Sequence, residues 1–232
     1  MGYPQNPDTI VIKNKFYPRG LTELDIWNYY QGVRNPILKS VYNRDIMLGI
    51  MVDVNKPIIR RRGKQEQFIR LTAKNYSEVI TGRTVTLYST MGSYENFGII
   101  DIDIDPNDGF AWARKTTIDV YDFVMDKMPV VTTASIRFTG KSSFHIVCEF
   151  GKKLKIDSIR YLLETFLRQS DLAKVYTVGA KRRPGVPNLD LSPNKYRGAY
   201  ITLNSLSIWG LKCVEVPYNA VSNFNPAKAI IK

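Results

Sequence analysis

Apolar and polar positions alternate most sharply along Phe97-Gly98-Ile99-Ile100-Asp101-Ile102-Asp103-Ile104-Asp105-Pro106. Successive strand side chains point to opposite faces. Ile100, Ile102 and Ile104 therefore share a side that can pack on a core, and Asp101, Asp103 and Asp105 share the other. Carboxylates two residues apart on a strand lie roughly 7 Å apart. They repel one another, but they can converge on divalent cations, which take oxygen ligands. The structural alternative is an exposed edge strand kept soluble by its charges.

The pattern on either side predicts the remaining elements. Residues 1–20 are polar and broken by prolines, and read as an arm or a first strand. Thr22 caps a helix running to about Gly32, with Leu24, Trp27 and Tyr30 on one side and Asp25 as capping-box partner. Residues 37–88 read as strands with turns. Ile58-Ile59 enters the basic turn Arg60-Arg61-Arg62-Gly63-Lys64; Gln67 to Leu71, which contains Arg70, and Thr84 to Tyr88 follow. Beyond the acidic strand come a turn at Pro106–Gly109, a helix from about Phe110 to Lys127 and a strand over Val130–Phe138. Thr139-Gly140-Lys141 turns into a strand over Ser143–Phe150, with Ser143 and His145 on one face. Asp157 caps a helix carrying Ile159, Leu162, Leu163, Phe166 and Leu167 on one stripe. A basic loop, Lys181-Arg182-Arg183-Pro184-Gly185, precedes a short strand ending at Asp190, and Tyr200–Leu203 reads as another strand. From Phe97 onward the order is strand, helix, strand, strand, helix, strand. This is the split βαβ pattern of a ferredoxin-like or RNA-recognition-motif-like sheet, with the acidic strand central and its acidic face open to a cleft.

Composition narrows the partners. The 232 residues suit one large domain or two closely packed lobes. Lys and Arg number 33 against 21 Asp and Glu, a formal net charge of +12, which suits a polyanion such as nucleic acid. No run is long enough to span a membrane, no basic amphipathic helix suggests a membrane surface, and the N-terminus lacks the apolar core of a signal peptide. Cys148 and Cys213 are solitary and the chain has one His, so no zinc site is expected and a reduced, cytoplasmic protein is the default.

Four pieces can meet on the cleft face: Asp103 with Asp105, Ser143 with His145, Asp190, and Arg197. Carboxylates from two strands can hold two Mg²⁺ or Mn²⁺ ions roughly 4 Å apart. His, Ser and Arg suit a triphosphate, Arg through bidentate contacts. That combination points to phosphoryl or nucleotidyl transfer. Arg60, Arg61, Arg62, Lys181, Arg182 and Arg183 are candidate nucleic-acid contacts. A nuclease using the same metals, and a nucleic-acid-binding module without catalysis, are the competing readings.

Over residues 20–217, approximately, the chain resembles the catalytic core of archaeo-eukaryotic primases, most nearly the polymerase domain of bacterial end-joining DNA ligase D. The resemblance rests on four blocks in order: Thr22 to Tyr30; Asp103-Ile104-Asp105-Pro106 with Gly109-Phe110-Ala111-Trp112-Ala113; Thr139-Gly140-Lys141-Ser142-Ser143-Phe144-His145; and Lys181-Arg182-Arg183 through Asp190, Asn194, Arg197-Gly198 and Ser205-Leu206. It implies an α+β primase-polymerase core: a single catalytic domain with a packed N-terminal αβ lobe over about 1–95, an RNA-recognition-motif-like mixed sheet over about 96–232, and an active site in the cleft between. It implies a template-dependent DNA primase or polymerase that adds nucleotides to a 3′-hydroxyl by a two-metal mechanism. Its partners would be nucleoside triphosphates, single-stranded or primed DNA and proteins of replication or repair. Asp103, Asp105 and Asp190 would be metal ligands, with Asp101 and Asp103 as the alternative register. Ser143, His145, Lys141, Ser142, Arg197, Asn194 and Ser205 would face the nucleotide, and Arg70 stands where the family has a nucleic-acid-contacting Lys. The family's end-joining members carry a Lys that holds a 5′-phosphate where this chain has Glu23, so repulsion of that phosphate is expected.

Overall fold

The computed structural model describes residues 21–53, 56–60, 68–103, 109–179, 185–207 and 209–231. The chain divides into two compact units. The first comprises Met1–Thr90, Ala199–Cys213 and Pro226–Lys232; the second comprises Met91–Gly198 and Val214–Asn225. The division differs from the two lobes read from the sequence. The chain returns to the first unit after Gly198 instead of staying in the second to its end.

In the first unit, helix α1 (Glu23–Gly32) starts on the expected capping box: Thr22 accepts from the Asp25 N–H, and the Asp25 carboxylate accepts from the Thr22 N–H. Residues 37–40, expected to open a strand-and-turn region, instead belong to helix α2 (Arg34–Ser40). Pro36 is tolerated there because it sits in the first turn, where its missing N–H has no intrahelical acceptor. Strands β1 (Asp45–Asp53), β2 (Lys56–Arg60) and β3 (Ile69–Arg70), the short helix α3 (Tyr76–Val79) and strand β4 (Thr84–Thr90) follow. Strand β10 (Ala199–Ile201) joins them in a five-stranded sheet of order β10-β4-β1-β2, with β3 on β1. Ile26, Tyr30, Ile37, Ile46, Leu48, Tyr76 and Leu87 form its core, joined by Leu206 from the returning segment.

In the second unit, strand β5 (Tyr94–Asp103) carries the acidic motif. Helix α4 (Phe110–Lys127), strands β6 (Val131–Phe138) and β7 (Phe144–Lys155), helices α5 (Ile156–Gln169) and α6 (Leu172–Val175), strands β8 (Thr177–Val178) and β9 (Asn188–Asp190), and the late strand β11 (Val214–Glu215) complete it. Asp157 is not the cap of α5. It lies in the first turn, where its charge still favours the helix N-terminus, and Lys155 is the N-cap. The six-stranded sheet has the order β11-β6-β7-β5-β9-β8. Its inner four strands reproduce the order of a split βαβ sheet, and every pairing among them is antiparallel. Strand β5 lies between β7 and β9 and is not an edge.

Helices α4 and α5 cover one face of this sheet, and Gly98 identifies which. A Cβ on Gly98 would lie 2.6 Å from Ile159 Cγ2 and 2.9 Å from Leu163 Cδ1 of α5, so only glycine lets the helix come this close. Ile100 and Ile102 alternate onto the same side and are fully buried. Phe138 and Phe144 pack there with Phe110 of α4 and Phe224, at ring-centroid separations of 5.0 to 6.3 Å. Cys148, whose thiol burial pushes up to about 12, is an inert member of this layer.

Candidate functional site

Asp101 and Asp103 lie on the opposite, helix-free face, and strand register decides what they meet. His145 of β7 and Asp190 of β9 are the direct partners of Asp101 on its two sides. Arg137 of β6 is opposite His145, and Glu215 of β11 is opposite Arg137. Directly opposed residues of antiparallel strands share a face. Five consecutive strands therefore place Glu215, Arg137, His145, Asp101 and Asp190 in one transverse row. Asp103 opposes Asn188 one step along.

Asp101 Oδ1, His145 Nδ1 and Arg137 Nε in this row, and Asn188 Oδ1 beside it, are buried without a hydrogen bond. His145 is only 5% exposed, and its Nε2 lies 3.6 Å from Asp101 Oδ1, too long for a good hydrogen bond. Asp190 is held firmly. Its two carboxylate oxygens accept from the Ser192 N–H at 2.8 Å and the Ser192 hydroxyl at 2.7 Å. Buried polar groups in native proteins are nearly always satisfied, so a run of unsatisfied ones on one face marks a place for a ligand.

The donor chemistry fits a hard divalent cation. Asp101 and Asp190 carry like charges on one rung, a destabilising arrangement that a cation reverses. Among the described residues, no three His, Cys, Asp or Glu side chains come together as a metal-holding group. Mg²⁺ is commonly held by one or two carboxylates with water and substrate phosphates completing the shell, which suits this row.

The other expected site residues divide. Ser143 shares the His145 side of the strand pattern, and its hydroxyl lies 2.8 Å from the Thr139 hydroxyl in the β6–β7 turn, which also contains Lys141 and Ser142. Arg197 follows β9 with a left-handed backbone (φ 58°), its N–H bonded to the Met91 carbonyl and its guanidinium 4.9 Å from the Tyr196 ring centroid. Asn194, expected at the nucleotide, is instead part of the scaffold. Its amide accepts from the Ile99 N–H at 2.8 Å and donates to the Ile99 and Leu191 carbonyls at 2.6 and 3.2 Å. Ser205 likewise belongs to the first unit's framework, accepting from the Leu87 N–H and donating to the Leu206 carbonyl. Arg70 pairs with Asp45 on that unit's surface. Asp105, Arg61, Arg62, Lys181, Arg182 and Arg183 lie outside the described residues, and of Arg60 only its place at the end of β2 is described.

Glu23 corrects the expectation attached to it. Its side chain is buried, and its Oε1 lies 2.9 Å from Arg83 Nε. The carboxylate already has its counter-charge inside the first unit, so the supposed repulsion of a 5′-phosphate loses its physical basis. Sequence reasoning missed Arg137 and Asn188. Each alternates onto the correct face of its strand, but only the pairing register brings them to the acids.

The chain superposes on the polymerase domain from Mycobacterium tuberculosis Ligase D, solved in complex with DNA, with a TM-score of 0.74 over 90% of this chain and 84% of that one, at 13% identity. No family model matches the sequence, and no curated protein matches it significantly. No helix among the described residues is long and apolar enough to cross a membrane.

Proposed function

We propose that the protein is a template-dependent nucleotidyltransferase, a DNA primase or polymerase that adds nucleotides to a 3′-hydroxyl with two Mg²⁺ or Mn²⁺ ions. The observation that carries this reading is the row of Asp190, Asp101, His145 and Arg137 on the helix-free face of a polymerase-type sheet, with its unsatisfied buried atoms. Asp101, Asp103 and Asp190 would hold the cations. The rung shared by Asp101, His145 and Asp190 favours the Asp101/Asp103 register over Asp103/Asp105. Bound cations would neutralise phosphate charge and acidify the attacking hydroxyl. His145, Ser143 and Arg197 would orient the incoming triphosphate, and Ser192 fixes the Asp190 carboxylate. The excess positive charge would hold template phosphates without reading sequence.

The test is incubation with Mn²⁺ or Mg²⁺, labelled nucleotides and bare or primed single-stranded template, with products resolved by length. Incorporation by the wild type and its loss in Asp101→Ala and Asp190→Ala are expected. Near-normal turnover in either variant would overturn the metal assignment. The formal net charge of +12 supports a second reading, a nucleic-acid-binding module without catalysis. Under that reading the wild type binds template and incorporates nothing. With Glu23 neutralised by Arg83, gap filling in end joining stands beside priming, and extension across gaps with and without a downstream 5′-phosphate separates the two.

A further inference from the structure

The geometry points to Arg137 as the residue that holds the terminal phosphates of a nucleoside triphosphate, a role that rests on the nucleotidyltransferase reading above. Three observations converge on it. First, Arg137 sits on the helix-free face directly opposite His145, which is in turn opposite Asp101. Second, its Nε is buried and unbonded. The outer cross-strand neighbour, Glu215, is the obvious counter-charge, yet among the described residues no ion pair joins the two. A guanidinium that forgoes an adjacent carboxylate and buries a bare donor is poorly explained by sheet stability. Third, the nine-tenths-buried His145 between it and the acids also leaves Nδ1 unbonded, so the unmet polar groups continue from the acids to Arg137.

The row has a polarity. From Asp190 inward it runs through two carboxylates, Asp190 and Asp101, then an imidazole, then a guanidinium two strand spacings, roughly 10 Å, from Asp101, with Glu215 beyond it on the edge strand and not ion-paired to it. A cation-bound polyphosphate has the matching polarity. Its metal-bound phosphate belongs against the Asp190 and Asp101 carboxylates, and its far, uncompensated phosphates belong against the Arg137 guanidinium. Arg is suited to that end because its planar fork grips phosphate oxygens in pairs. Arg137 would then select triphosphates over monophosphates and keep the leaving pyrophosphate in line.

The experiment titrates wild type, Arg137→Gln and Arg137→Lys with inorganic triphosphate, a nucleoside triphosphate and the matching monophosphate at fixed Mg²⁺, alongside KM and kcat for incorporation. The expected result is at least tenfold weaker binding of both triphosphates to Arg137→Gln, unchanged monophosphate binding, KM rising more than kcat falls, and partial rescue in Arg137→Lys. Should Arg137→Gln not fold, Arg137→Lys carries the test through a several-fold loss of triphosphate affinity. Wild-type affinity in the folded variants, or equal losses for mono- and triphosphate, overturns the assignment. The two readings fail separately. A wild type that incorporates nothing but binds inorganic triphosphate through Arg137 removes the polymerase and keeps the site. An active enzyme indifferent to Arg137 removes the site alone.

Discussion

The two faces of the six-stranded sheet come from the same strands and obey opposite rules. On the helix side, Gly98, Ile100, Ile102, Phe138 and Phe144 close against α4 and α5 with no room for one added methyl group at Gly98. On the other side, Asp101, His145 and Arg137 are held in register but leave buried atoms without partners. Asn194 shows that the fold can satisfy a buried polar side chain completely when the side chain serves the scaffold, here by bonding the Ile99 N–H and carbonyl. The contrast separates polar groups that build the sheet from those the sheet presents. Only the second kind leaves binding capacity for a ligand.

Substitutions on the two faces should therefore fail in different assays. The largest effect belongs to the polar face. Asp101→Ala should lower incorporation by about 1,000-fold, roughly 4 kcal/mol of transition-state stabilisation. The melting temperature should hold or rise, because the like charge opposite Asp190 is gone. A variant that melts early and turns over normally would erase the distinction between the faces. Asn194→Ala should do the reverse, costing about 2–4 kcal/mol in denaturant unfolding because two backbone groups of Ile99 lose their partners.

Glu23→Lys extends the comparison to the first unit. It puts a cation in a buried position beside Arg83 and should cost about 2–4 kcal/mol, a range reduced from a fully buried pair because Arg83 is half-exposed. Thermal unfolding measures it, and an unchanged midpoint would return Glu23 to the surface role expected from the sequence. Gly98→Ala should cost about 1–3 kcal/mol through overpacking against Ile159 and Leu163. Its activity should follow the folded fraction, and a specific loss of turnover in fully folded protein would mean that the helix face also tunes the site.

Local physics carried much of this protein in the sequence itself. Alternation from Gly98 to Asp103 separated the face of Gly98, Ile100 and Ile102 from that of Asp101 and Asp103, because side-chain period alone fixes it. The capping box at Thr22 and the span Phe110–Lys127 were legible because helix ends are set by neighbouring residues. The order of elements gave the split βαβ sheet. What the sequence lacked was long-range register. Whether Asp101 or Asp103 stands opposite His145 depends on how β5, β7 and β9 slide past one another, and a one-residue shift exchanges the faces. The same pairings placed Arg137 in the row. The family resemblance implied that Asn194 and Ser205 face the nucleotide, whereas tertiary packing bonded both to backbone groups of strands roughly 100 residues away in sequence. Tertiary contact likewise turned Glu23 from a surface acid into the buried partner of Arg83. Sequence determined which chemistry was available, and strand register with packing decided which groups were already bonded and which were left to bind.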